Sequence, residues 1–159
     1  MRYNLILLLT LLSPISATAQ NLPLGCFTRD YSDEHLARNP EQVVDRISIL
    51  FSQGDGITNA DVKVLLADQG HAGRAGFGGM RAGEVAGNYE TPLRFGVECD
   101  GGAFDVITND AHGLTVATDG FRLSDDSCSD GKIRSNLLEE GSSSTRYRLD
   151  RSDEAACDW

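Results

Sequence analysis

The chain has 159 residues, and its 24 acidic side chains outnumber its 14 lysines and arginines, which gives a formal net charge of −10 at pH 7. The isoelectric point is near 4.6. Because nucleic acid and anionic lipid headgroups repel an acidic surface, we expect neither as a partner. The length is that of one domain and is sufficient to bury a core.

The N-terminus has the pattern of an export signal. Arg2 precedes an apolar run at residues 5–12, which is too short to span a bilayer. A small-x-small pattern ends at Ala19, as at signal peptide cleavage sites. We therefore expect residues 1–19 to be a signal peptide, and residues 20–159 to form one soluble domain in the periplasm or outside the cell, with no membrane insertion.

Four cysteines follow the predicted cleavage site, and an even number in an exported chain indicates two disulfides. The sequence alone allows three pairings. We predict the pairs Cys26–Cys157 and Cys99–Cys128. Their wide spacing does not fit a zinc site, and no CxxC redox motif occurs. The alternative is a lipid anchor on Cys26, which fits poorly because Pro23 stands where a lipid-attachment box has leucine.

The first elements after the cleavage site are a helical turn and a segment with two possible structures. Ser32 is a predicted helix N-cap, and the turn must end before Pro40. Residues 41–52 fit either a helical face or an alternating strand, and their β-branched side chains favour a strand over 45–52. A glycine-containing turn and a strand over residues 61–68 follow.

Residues 93–108 have the pattern of a β-hairpin. Two β-prone runs flank Asp100 and Gly101, a preferred pair for a two-residue type I′ turn. This turn places Phe95 opposite Val106. The apolar face of the hairpin then consists of Phe95, Val97, Cys99, Phe104 and Val106.

A second Asp-Gly pair, at residues 119–120, predicts another hairpin in which Val116 faces Leu123. Near the C-terminus, residues 145–151 alternate apolar and polar side chains, as a half-exposed strand does. Short strands separated by regular turn signals are typical of antiparallel sheets. The sequence therefore predicts a mainly β fold: a small antiparallel β-barrel or sandwich with one short N-terminal helix and two disulfides.

The most unusual segment is residues 70–83, which contains six glycines together with His71, Arg74 and Arg81. This segment is locally positive although the chain as a whole is acidic, and we call it the positive island. Glycines let backbone N–H groups turn toward an anion, and arginine binds carboxylate or phosphate in a bidentate manner. The segment is neither a Walker loop nor a dinucleotide fingerprint. We predict that these three side chains bind an anionic group or a partner; the alternative is a simple connection with solvated arginines.

No motif in the chain indicates a particular catalytic reaction. There is no serine-hydrolase elbow and no histidine motif for a metal, and we expect no catalytic residue, metal or cofactor. The sequence favours an exported, non-enzymatic binding or interaction module, such as an inhibitor, whose partner is a protein or a small anionic ligand. Two alternatives stay open: a small periplasmic hydrolase that uses His71 or His112 with a carboxylate, and a structural envelope protein.

Overall fold

The structure is a computed structural model that describes residues 22–91, 93–98, 100–124 and 133–159. The predicted signal peptide, residues 1–19, lies outside the described residues. In chain order the elements are β1 (Gly25–Asp30), α1 (Asp33–Arg38), β2 (Val44–Gly54), β3 (Ile57–Leu66), α2 (Gly70–Arg74), β4 (Arg81–Thr91), β5 (Arg94–Gly96), β6 (Ala103–Asp110), β7 (Gly113–Thr118), β8 (Arg122–Ser124), β9 (Ile133–Asn136), β10 (Thr145–Ser152) and a 3-10 helix (Glu154–Cys157).

Eight of these strands close into an antiparallel barrel. Around the ring the order is β1, β2, β3, β4, β5, β6, β7 and β10, and β10 pairs with β1. Strands β8 and β9 pair with each other outside this ring and join it where Ser124 faces Gly83 on β4. Since the ring closes on itself, the fold is a barrel rather than the sandwich that the sequence left open.

The alternation of apolar and polar residues determines which side of each strand faces the interior. In β3 every second residue is buried, including Ala60, Val62 and Val64. In β10 the buried Tyr147 and Leu149 alternate with exposed polar residues, as predicted. Because successive side chains point to opposite faces of a strand, one half of each strand fills the barrel and the other half forms its outer surface.

Residues 41–52 form mostly strand, since β2 begins at Val44, which agrees with the interpretation favoured from the sequence. The glycine-containing turn that follows joins β2 to β3. Asp55 and Gly56 have φ angles of 51° and 81°, and the residues on either side of them are hydrogen-bonded partners. A two-residue type I′ turn requires positive φ at both positions, which aspartate tolerates and glycine favours.

Aromatic rings occupy the interior of the barrel. Phe51 meets Phe95 edge-on with ring centroids 5.0 Å apart, and Phe95 stacks on Phe104 at 5.3 Å. Phe27 and Phe121 extend the cluster through edge contacts with Phe51 and Phe104. All five side chains are at most 2% exposed. An eight-stranded barrel is just narrow enough for side chains to fill it, and these rings fill the described interior.

The predicted register of the hairpin over residues 93–108 is wrong by two positions. Phe95 lies opposite Phe104 rather than Val106, and residues 97–102 join β5 to β6 in place of the predicted two-residue turn. A shift by two positions keeps every side chain on its own face of the sheet. Phe95, Phe104 and Val106 of the predicted apolar face are therefore still buried, and Val97 is partly buried.

Two contacts outside the predicted turn explain why the connection between β5 and β6 is longer than two residues. The stacking of Phe95 on Phe104 aligns the strands at a different point from the one that the Asp-Gly pair would impose. Gly102, with a φ of 79°, packs so closely against Gly120 that a Cβ atom there would collide with the Gly120 carbonyl. Only glycine satisfies both the positive φ and this approach. Neither contact can be recognised from local turn propensity.

The predicted pairing of Val116 with Leu123 is also wrong. Val116 pairs with Val106 on β6 and with Tyr147 on β10, so both edges of β7 are occupied. Leu123 instead pairs with Ser135 on β9. The second Asp-Gly pair therefore leads the chain out of the ring, because β10 takes the place beside β7.

The helices are short. α1 follows Ser32, whose hydroxyl oxygen accepts a hydrogen bond from the His35 backbone N–H at 3.2 Å, and it ends before Pro40. α2 lies at the start of the glycine-rich segment, which was interpreted as a loop. The described chain thus has two short helices where the sequence predicted one.

The disulfide between Cys26 and Cys157 is present as predicted, with its Cα atoms 6.0 Å apart. It joins β1 to the 3-10 helix near the C-terminus, and it is consistent with an oxidising, extracytoplasmic location. A lipid anchor would require the same Cys26 sulfur. The other predicted disulfide, Cys99–Cys128, lies outside the described residues.

Candidate functional site

The structure does not gather the three residues of the predicted positive island into one site. His71 and Arg74 lie on α2, whereas Arg81 is the first residue of β4. Arg74 forms ion pairs with Glu41, at 3.2 Å, and with Glu140. The hydrogen bond that Arg74 donates to Glu41 and the neighbouring charge of Glu140 raise the pKa of Arg74. Two carboxylates therefore already accompany this guanidinium, and its role in binding stays a prediction.

The glycines of this segment have packing functions. Gly70 has a φ of 58°, and a Cβ atom there would collide with the carbonyl of Glu41. A Cβ atom on Gly73 or Gly78 would collide with Asp68. Tight packing of α2 and the turn after it accounts for glycine at these three positions without an anion.

His71 lies beside a buried serine. Its Nε2 is 3.2 Å from the Oγ of Ser135, which is 5% exposed, in a cleft of about 400 Å³. The ring of His35 contacts the Gln42 side chain at 2.9 Å. In the described part of the chain, no histidine ring forms a hydrogen bond with a carboxylate, and no cluster of three ligand-type side chains could hold a metal.

Arg81 helps to hold the C-terminal residue against the outside of the barrel. The indole N–H of Trp159 donates to the Oγ of Ser48 at 3.0 Å. The guanidinium groups of Arg46 and Arg81 lie 4.6 and 5.4 Å from the indole centroid. A cleft of about 360 Å³ beside the ring is lined by Arg81 and Lys63. Cation–π contacts of this kind stabilise a docked segment, which explains Arg81 in structural terms.

A larger cleft, of about 500 Å³, is lined by residues of β1, α1 and β10 and of the segments next to them. Three arginines line it. Arg29 pairs with Asp150 at 3.0 Å, and Arg148 pairs with Asp110 at 3.7 Å. Arg146 is exposed and forms no ion pair with any described residue. We call this the arginine cleft and define it by Arg29, Arg146 and Arg148 together with Tyr31, His35 and Glu139.

Strand pairing assembles the arginine cleft from distant parts of the chain. β1 lies beside β10 with Thr28 opposite Asp150, so Arg29 meets residues about 120 positions away. Arg146 and Arg148 lie on the outer face of β10, since the residues between and beside them are buried. The barrel closure therefore brings three arginines together at one cleft, two of them paired with carboxylates.

Tyr31 is held between two other residues of the cleft. The Arg29 guanidinium lies 5.6 Å from the Tyr31 ring centroid, and the His35 ring lies 4.8 Å away. Burial raises the pKa of Tyr31 to about 12, although the charge of Arg29 opposes this. The phenol is therefore neutral at physiological pH. The Nε of Arg29 is buried and has no hydrogen-bond partner in the described part of the chain, and such a donor gains free energy from an acceptor.

The arginine cleft also contains a carboxylate. The backbone N–H of Glu139 donates to the Oγ1 of Thr145 at 2.8 Å, which fixes the position of this residue at the cleft. Its carboxylate forms no ion pair with a described residue, although three arginines line the same cleft. Burial raises the pKa of Glu139; the charge of His35 opposes this shift and the charge of Glu41 adds to it.

Sequence reasoning missed the arginine cleft. The alternation in residues 145–151 did place Arg146 and Arg148 on an exposed face, and that was the available signal. Their neighbour Arg29 could not be identified, because the pairing of β1 with β10 was not predicted. The clustering of basic residues along residues 70–83 pointed instead to side chains that the fold separates.

The fold and the site define the class of this protein: a closed, disulfide-tied, eight-stranded antiparallel barrel with a cleft lined by three arginines. No protein-family model, no curated protein and no solved structure matches the chain. Among the described residues, no helix combines the length and the apolar character that crossing a membrane requires.

Proposed function

We propose that this protein is an exported, non-enzymatic binding module that recognises an anionic group on its partner through the arginine cleft. One observation carries the proposal: three arginines meet at one cleft of a chain whose net charge is −10. One of them, Arg146, has no competing ion pair in the described structure. Guanidinium groups bind carboxylate, phosphate and sulfate groups with directed hydrogen bonds.

The arginine cleft is the place for such a partner because phenylalanine side chains fill the part of the interior that the structure describes. The phenylalanines inside the barrel are at most 2% exposed, and they contact one another at ordinary ring distances. Barrels that carry a ligand inside need an interior cavity. A rigid scaffold with function on its surface is a common arrangement.

The disulfide supports the export part of the proposal. The Cys26–Cys157 bond persists in an oxidising compartment, such as the periplasm or the extracellular medium. The export signal predicted at residues 1–19 agrees with this location. The acidic composition then keeps most of the surface away from anionic partners and leaves the arginine cleft as the exception.

The test uses dextran sulfate as an anionic probe and compares the oxidised protein with two charge reversals. Arg146→Glu should weaken binding about tenfold or more, because an attractive charge in the cleft becomes repulsive. Arg122→Glu makes the same change in net charge on an exposed arginine of β8, outside the cleft. It should leave the affinity within about twofold, since separated surface charges are screened by salt.

The affinities are measured by calorimetry at low and at moderate salt, with melting temperatures as a check on folding. Equal losses in the two variants would show a diffuse charge effect and overturn the proposal. Binding that Arg146→Glu leaves unchanged would overturn it as well.

A further inference from the structure

We infer that the arginine cleft takes a tetrahedral oxyanion, a phosphate or sulfate group, and that Glu139 is an internal competitor whose protonation strengthens this binding. The inference rests on the proposed function and specifies the ligand chemistry and the regulation of the same site.

The number of donors favours a tetrahedral anion over a carboxylate. Each guanidinium offers five N–H donors in a planar fork. Arg29 approaches from β1, whereas Arg146 and Arg148 approach from β10. A carboxylate has two oxygens in one plane, but phosphate and sulfate groups offer three or four oxygens in different directions.

Glu139 opposes such an anion because it lines the same cleft. Its carboxylate makes no ion pair with a described residue, so no cation neutralises it directly. An ionised carboxylate repels a bound dianion across the cleft. A protonated one adds no repulsion and offers an O–H donor to the ligand oxygen.

The groups that face Glu139 determine when it takes up a proton. From α1 and the segment after it come His35 and Glu41, from α2 comes His71, and from its own loop comes Glu140. The other facing groups are Arg29 and Tyr31 after β1 and Arg146, Tyr147 and Arg148 on β10. Burial and the charge of Glu41 together outweigh the opposing charge of His35, and the pKa of Glu139 is raised. Protonation therefore starts at a higher pH than for a solvated glutamate.

The experiment measures binding of inorganic sulfate to the oxidised protein by calorimetry at pH 7 and at pH 5. Sulfate is the first probe because its own charge does not change over this range. The affinity should rise on acidification in the natural protein, by up to about tenfold when the Glu139 carboxylate is fully protonated, because one negative charge beside the site is then lost. Glu139→Gln should bind sulfate about tenfold more tightly at pH 7 and should lose most of the pH dependence.

Two control variants isolate Glu139. Glu154→Gln removes the same charge from an exposed glutamate on the 3-10 helix and should behave like the natural protein. His35→Gln tests the histidine that lines the same cleft. If His35→Gln abolishes the pH dependence and Glu139→Gln retains it, the assignment to Glu139 is wrong.

Two further probes test the ligand chemistry. Inorganic phosphate should bind in the same cleft, and the ratio of its affinity to that of sulfate shows which of the two groups the site prefers. Acetate, a planar carboxylate, should bind at least about tenfold more weakly than sulfate. Equal binding of acetate would overturn the tetrahedral preference while leaving the proposed function intact. Failure of every anion to bind at either pH would contradict the proposed function itself.

Discussion

The side chains inside the barrel and those of the arginine cleft differ in how completely their interactions are satisfied within the chain. Inside, Phe51, Phe95 and Phe104 contact one another and are excluded from water. In the cleft, Arg146 is exposed without an ion pair and Glu139 lacks a cation partner among the described residues. The interior interactions are satisfied within the chain, whereas those of the cleft are incomplete.

This difference indicates which region stabilises the fold and which region is available to a partner. Burial of apolar rings is the main source of folding free energy, and it leaves little freedom for another role. Incompletely paired charges on a surface contribute little to stability, but they are available to a partner. Substitutions in the interior should therefore lower stability, whereas substitutions in the cleft should alter binding.

The largest expected effect comes from the interior. Phe104→Ala removes a ring that contacts Phe95, Phe51 and Phe121, and it should lower the free energy of unfolding by about 3–5 kcal/mol. Val85→Ala is the matched control, since Val85 is 57% exposed and should change stability by less than about 0.5 kcal/mol. Denaturant titration measures both. A small loss for Phe104→Ala would show that the interior is loosely packed.

A somewhat smaller effect is expected where the disulfide fastens the C-terminus to the outer surface. Replacing Cys26 and Cys157 together by alanine should lower the free energy of unfolding by about 2–5 kcal/mol, because the bond closes a long loop. Trp159 is the only tryptophan of the chain, so its fluorescence reports directly on the docked C-terminus. An unchanged denaturation midpoint would indicate that strand closure alone maintains the barrel.

The smallest effect concerns the pH dependence of stability in the cleft. The raised pKa of Glu139 means that the folded state binds its proton more tightly than the unfolded state does. Its ionised form therefore destabilises the fold at neutral pH, and this penalty disappears as the pH falls toward the ordinary value of about 4.3. Glu139→Gln should consequently melt at a higher temperature than the natural protein at pH 7.

The same comparison of melting temperatures near pH 4 is the control for that effect, because both proteins are then neutral at this position. The advantage of Glu139→Gln should shrink as the pH falls. A constant or growing advantage on acidification would mean that the substitution acts through packing rather than through charge.

Much of the fold could be predicted from local sequence patterns. Strict alternation identified the strand that contains Tyr147, and β-branched residues identified β2. The even number of cysteines in an exported chain predicted disulfides, and the favoured pair Cys26–Cys157, one of three possible pairings, is present. These features depend on a strand's own period of two or on composition, which the sequence displays directly.

The strand register and the arginine cleft depend on contacts between residues that are apart in the sequence. Local sequence patterns predicted neither of them. Asp100 has positive φ, as a type I′ turn requires, yet the stacking of Phe95 on Phe104 moved the pairing by two positions. Likewise, Arg29 meets the arginines of β10 only after the ring has closed. The sequence displays the residues of the cleft but not their proximity.

The most direct test of the central claim is a two-dimensional ¹H–¹⁵N spectrum of the oxidised protein during titration with inorganic sulfate. The side-chain Nε–H signals of Arg29, Arg146 and Arg148 should shift together and saturate, while the backbone signals of Phe95 and Phe104 in the interior should stay constant. Saturable shifts at Lys63 and Arg81, with none at the arginine cleft, would contradict the account.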